Sequence, residues 1–171
     1  MRIDSSGNVL IGKSSATANG GDLQISGGIT FPASQSAKSD ANTLDDYEEG
    51  TWTPSVGGNA TYTANRHGRY TKIGRVVFIE LIMQIDTIGT GSASVISNLP
   101  FAQSGNPNRS YITAGYFANM NVSMASLSLF ATGSELSNSY VAAGGSTSVV
   151  DVGNIYKSDA YIIASGCYAV S

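Results

Sequence analysis

Residues 70–86, YTKIGRVVFIELIMQID, constrain this chain more than any other stretch, because they form its longest apolar run and are rich in β-branched side chains. Val77, Ile79, Leu81, Met83 and Ile85 fall on alternate positions. In an extended chain they share one face of a sheet, the face expected to form the core. The other face carries Val76, Phe78, Glu80, Ile82, Gln84 and Asp86, apolar at the start and polar toward Asp86, a pattern that predicts partial cover by a neighbour. A helix is the rival reading. Gly74, the bulk of Val76, Phe78 and Ile82, and the turn-like DTIGTGS that follows favour strand.

The same alternation extends the β reading over residues 51–171, expected as one antiparallel β-sandwich, jelly-roll-like. ATYTANRHGRYT reads as strand, glycine-containing turn and strand leading into the central one. Further strands are predicted at 93–98, 111–118, 124–131, 140–143, 146–152 and 160–170, separated by turn clusters at 89–91, 104–109, 133–139 and 144–145. Ala125, Leu127 and Leu129 alternate with Ser126 and Ser128, a core-in, hydroxyl-out strand. No interval offers an amphipathic helix.

With 171 residues the chain has room for one ordinary domain plus an appendage. Only 12% of residues are charged, with 20 glycines and abundant Ser, Thr, Asn and Ala, which suits a rigid extracellular assembly or a subunit with much of its surface covered. A net charge of -3 offers no basic field for nucleic acid. No segment is long and apolar enough to span a bilayer, and no basic start leads into a signal core.

Residues 1–33 hold short apolar patches between glycine turns. Leu23 and Ile25 before Gly27-Gly28, with Ile29 and Phe31 after, predict a tight hairpin or kinked strand. So thin a segment cannot bury a core alone; chains below about 40 residues usually need metal, disulfides or partner chains. Without cysteine or a ligand cluster here, partner chains remain, and the segment is expected to wind with copies of itself into a β stalk. Residues 34–43 read as a polar linker. In residues 44–50, Asp45, Asp46, Glu48 and Glu49 surround Tyr47. Calcium is the sharp reading, but the spacing fits no known loop. A solvated or paired acidic collar is the plainer one, with Arg66, Arg69, Lys72 and Arg75 as nearby cations. The units expected are therefore a stalk (1–33), a linker and collar (34–50) and a head (51–171).

The reactive residues yield no catalytic constellation. Cys167 stands alone in the alternating YIIASGCYAV and reads as a buried small apolar residue. His67 reads as a solvated turn residue without metal-ligand partners. No GxSxG elbow is present. Trp52, the only tryptophan, reads as core filler rather than a sugar platform. No cofactor, metal or enzymatic activity is expected.

RIDSSGNVLIGKSS resembles the shaft element of bacteriophage tail fibres, with Leu10 where that element usually has glycine. LDDYEEGTWTP, RYTKIGRVVFIELIM and the closing IIASGCYAV are similar to a C-terminal tip domain of many such fibres. The resemblance covers roughly residues 1–13 and 44–86, plus the last strand. It implies a homotrimer at the distal end of a virion tail fibre, joined to an upstream fibre or baseplate protein, with Met1 an internal methionine or a fragment boundary. It also implies a non-enzymatic tip that binds a bacterial surface glycan or protein.

Sugar recognition needs amides, hydroxyls and aromatic faces with little charge. The candidate receptor-binding residues on that ground are Asn106, Asn108, Arg109 and Tyr111 in SGNPNRSY, Asn138 and Tyr140 in ELSNSY, and Asn119 and Asn121. A structural fibre or decoration piece, capping the trimer without reading the host, is the alternative. A polysaccharide-degrading tailspike is disfavoured, because paired carboxylates on a rigid cleft are not evident.

Overall fold

The computed structural model describes residues 1–5, 9–11, 14–15, 23–25, 27–31, 44, 46–104, 110–144 and 149–170. The linker predicted at 34–43 and Asp45 lie outside the described residues. The chain divides into two compact units, Met1–Gln35 and Ser36–Ser171.

The first unit is a three-stranded sheet of β1 (Arg2–Ile3), β2 (Val9–Ile11) and β3 (Leu23–Ile25). β1 runs antiparallel to β2, and β3 lies parallel to β2 with Ile25 opposite Ile11. The hairpin expected after Gly27-Gly28 does not form: residues 28–31 carry no strand. β3 satisfies its backbone against the upstream strand instead. Among the described residues of this unit only Leu10 is buried, while Met1, Ile3, Ile11, Leu23 and Ile29 are exposed.

The second unit is all-β among its described residues. Its strands are β4 (Tyr47–Trp52), β5 (Thr61–Ile73), β6 (Val76–Thr87), β7 (Val95–Ser97), β8 (Tyr111–Ala118), β9 (Met124–Thr132), β10 (Glu135–Ala142), β11 (Val149–Asp151) and β12 (Tyr161–Ala169). They join in one antiparallel sheet of order β11-β10-β9-β8-β12-β6-β5-β4, with β7 also on β10. Ser55, just past β4, bridges Ser97 of β7, so the sheet curls until its two ends meet. A sandwich was expected from the sequence; the described strands form this single bridged sheet.

The alternation in β6 holds: Val77, Ile79, Leu81, Met83 and Ile85 are all buried. They pack with Trp52, Ile112, Leu129, Leu136, Ile162 and Tyr168 in one cluster. Burying a side chain of this size contributes roughly 1.5–3 kcal/mol, so this face organises the unit. The run read as one strand is split, because Gly74 takes a left-handed φ of 55° and turns the chain between β5 and β6. The turn expected at ANRHGR is absent. Residues 61–73 form a single strand with register shifts near Tyr62, and His67 is an exposed strand residue.

Four further expectations change. Cys167 is exposed, because Ile162, Ala164, Tyr168 and Val170 take the inward positions of β12. Ala125 is exposed, and only from Leu127 onward does β9 alternate into the core. The segment read as turn up to residue 139 is strand from Glu135. The acidic collar is part of the sheet: residues 47–52 pair with β5, with Tyr47 opposite Ile73 and Trp52 opposite Gly68. Trp52 is buried in the core.

Candidate functional site

The strands give the second unit two ends. At the entry end lie the start of β4, the Gly74 turn, the end of β12, the start of β8 and the Gly133 turn, tied by Val170 N–H to Arg75 C=O (2.9 Å) and Gln103 N–H to Gly133 C=O (2.7 Å). At the far end lie the loops 57–60, 88–94, 119–123 and 152–160. Asn59 Oδ1 accepts from Thr90 N–H (2.7 Å), and Asn121 N–H donates to Ile155 C=O (2.8 Å).

The entry end is electrostatically closed. Asp46 and Lys72, both nearly inaccessible, form an ion pair, and Lys72 Nζ lies 5.3 Å from the centre of the Phe101 ring. Tyr70 Oη donates to Glu48 Oε1 at 2.5 Å, and its ring meets Phe101 edge-on at 5.3 Å. Tyr168 Oη donates to Phe101 C=O at 3.0 Å. The carboxylate hydrogen bond, with burial, pushes the Tyr70 phenol up to about 12. Burial pushes Tyr168 up to about 12. Asp46 and Glu48 are thus paired, and no group of three or more His, Cys, Asp or Glu among the described residues is placed to hold a metal ion.

The far end is open. Gln84, Ile88, Asn119, Lys157, Ser158 and Asp159 line a cleft of about 610 Å³. Its walls are held by Asn119 Nδ2 on Asp159 C=O (3.3 Å) and Ile88 N–H on Ser158 Oγ (3.1 Å). Gln84 Oε1 is fixed by Thr63 Oγ1 (3.2 Å) and Asn65 Nδ2 (3.1 Å). Asn119 and Asp159 both sit at positive φ, 54° and 67°, a left-handed backbone that short polar side chains tolerate best. Tyr161 pairs with Gln84 across β12 and β6, and its ring meets that of half-exposed Tyr116 at 5.3 Å. Amide, hydroxyl, ammonium and carboxylate groups in one cleft match the polar groups of a sugar.

The sequence candidates divide on this geometry. Asn119 lines the cleft, and Asn121 lies beside it, its Nδ2 donating to Asn154 C=O at 3.1 Å. Tyr111 is exposed, but at the entry end, its ring 5.9 Å from Phe130. Asn106, Asn108 and Arg109 lie outside the described residues. The assignment of Asn138 and Tyr140 to a surface loop is corrected: both are buried in β10. Asn138 Nδ2 donates to Ser94 C=O (2.6 Å) and Gly153 C=O (2.8 Å), and its Oδ1 accepts from Gly153 N–H (3.0 Å). An amide that satisfies two loops in this way is a structural clamp. Sequence reasoning missed Gln84, Lys157, Ser158 and Asp159. The turn-forming SD ahead of the last strand was the one local signal for them. No protein-family model and no curated protein sequence matches the chain.

Proposed function

We propose that the chain is the distal piece of a bacteriophage tail fibre. The first unit assembles with sibling copies as a homotrimeric stalk, and the second is a non-enzymatic head that binds a bacterial surface glycan. The observation that carries this reading is the contrast between the units. The second has a packed core of its own, whereas the first buries only Leu10 among its described large apolar side chains and exposes Met1, Ile3, Ile11, Leu23 and Ile29, which other chains would cover on this reading. Within the head, the far-end cleft is the surface with sugar-matching chemistry, and three linked copies would turn weak contacts into useful avidity. The jelly-roll sandwich suggested by the sequence is the finer fold reading that goes with this proposal.

The test uses the full chain. Light scattering should give a multiple of the 17.7 kDa chain mass, three copies on this reading. The protein should bind host cells, and a Lys157→Ala/Asp159→Gly/Asn119→Gly variant should keep its mass while losing binding. A monomer at all concentrations would overturn the stalk, and undiminished binding by the variant would overturn the cleft. A trimer that binds no cell surface would favour the structural alternative, a fibre piece that only registers and caps the assembly. That reading has support of its own in the apolar outer sheet face described next.

A further inference from the structure

Five of the large apolar side chains exposed on the second unit gather on one face. Ile73, Val76, Phe78, Ile163 and Tyr116 all lie on the outer face of β5, β6, β12 and β8. Register places them in two bands. In one, Ile73 stands beside Val76 and Phe78 beside Cys167; in the other, Ile82 stands beside Ile163 and Ile163 beside Tyr116. Between the bands runs a polar row, Arg69, Glu80 and Ser165. Here the open groove over Phe78 has a volume of about 880 Å³.

We infer that this face is the surface through which the heads of neighbouring copies of this chain contact one another. The inference rests on the assembled reading above and names the surface involved. Three features select a second copy over other occupants. First, exposed apolar surface of several hundred Å² is often functional, and larger patches rimmed by polar residues mark interaction sites. Strand spacing of about 4.8 Å and rise of about 3.3 Å per residue make this face roughly 500 Å² in projection. With side-chain relief that approaches the roughly 800 Å² per partner of a stable interface. Second, the face carries both signs of charge: Arg69 and Glu80 stand 3.8 Å apart and well exposed, with Glu49 in the same groove, so the guanidinium of one copy can meet a carboxylate of the next. The two can also exchange partners between copies, since an exposed pair at this distance holds its geometry weakly. Third, aliphatic and aromatic side chains make up most of the two bands, with Glu49 the carboxylate at the edge of the Phe78 row, a composition nearer to an interface than to an ordinary polar surface.

Cys167, the only cysteine, lies beside Phe78 on this face and is exposed in the single chain, so it reports directly on cover. The experiment is maleimide labelling of the full-length protein, with mass followed by light scattering. In the assembled wild type, Cys167 should react at least about tenfold more slowly than in Phe78→Glu or Ile163→Glu, because a packed interface excludes the reagent. Val150→Glu, an exposed apolar position on β11, should label like wild type. Circular dichroism establishes that each variant is folded. A trimer whose Cys167 reacts at the rate of a free thiol would overturn the face while leaving the trimer standing. Protection that appears only when oligosaccharide is added would assign the face to sugar and overturn it too. A monomeric wild type would overturn both the face and the assembly beneath it.

Discussion

The Trp52 indole lies flat against Gly68, its cross-strand partner, so that a Cβ at Gly68 would collide with Nε1 and its ring neighbours. Two pairs along the same two strands the roles reverse. Tyr70 covers Gly50, where a Cβ would stand 2.5 Å from the phenolic oxygen. Each glycine makes the room that lets an aromatic from the facing strand lie down over the sheet, and together they join β4 to β5 by side-chain packing as well as backbone ladder.

Gly68→Ala should therefore destabilise the head by about 1–3 kcal/mol, the cost of overpacking a filled site. Urea denaturation followed by tryptophan fluorescence measures it directly, because Trp52 is the sole tryptophan. Gly115→Ala is the control: it has open space around it and ordinary φ, and should change stability by no more than about 0.5 kcal/mol.

Asp46→Asn should be among the most damaging single changes at the entry end. It leaves the nearly inaccessible Lys72 ammonium without its carboxylate, and breaking a buried pair from one side costs about 3–5 kcal/mol. The double variant Asp46→Leu/Lys72→Met removes both charges and should recover much of the loss in the same denaturation assay. If the double variant is no better than the single, the pair is not what holds β4 in place.

Asn138→Leu should cost about 2–4 kcal/mol, since the change leaves Ser94 C=O and both backbone groups of Gly153 to be satisfied some other way. Hydrogen exchange at the Gly153 amide should accelerate more than exchange in β6. Binding to cells should survive in the folded fraction, which separates a clamp from a receptor contact.

Alkaline titration should reveal Tyr70 and Tyr168. Both phenols sit at about 12 in the folded protein against an ordinary 10.0. The folded state then holds protons that the unfolded chain has released, so stability is intact below pH 10 and falls as pH rises from about 10 to 12. Tyr70→Phe and Tyr168→Phe should each shallow that decline in denaturation midpoints measured across the interval.

The residues explain where sequence reading succeeded. In β6 the period-two pattern is unbroken and one face is fully covered, so Val77 to Ile85 could be placed in the core from order alone. Gly74 misled only over a boundary, because glycine is common in strands and in turns and only its positive φ distinguishes the two. ELSNSY shows the harder failure. Its small polar residues carry turn propensity, yet β9, β7 and β11 recruit them as a strand and bury Asn138 where partners for its amide exist.

Local order therefore determined the β class, the inward face of β6, the burial of Trp52 and the thinness of residues 1–33, since each follows from periodicity or from how much apolar material a segment contains. Tertiary structure alone decided which strands became neighbours, that Asp46 would find Lys72, that Cys167 would face outward, and that Asn119 would meet Asp159 at the far end. Those outcomes depend on pairing between segments up to a hundred residues apart, and nothing within a short window encodes the register in which two distant strands meet.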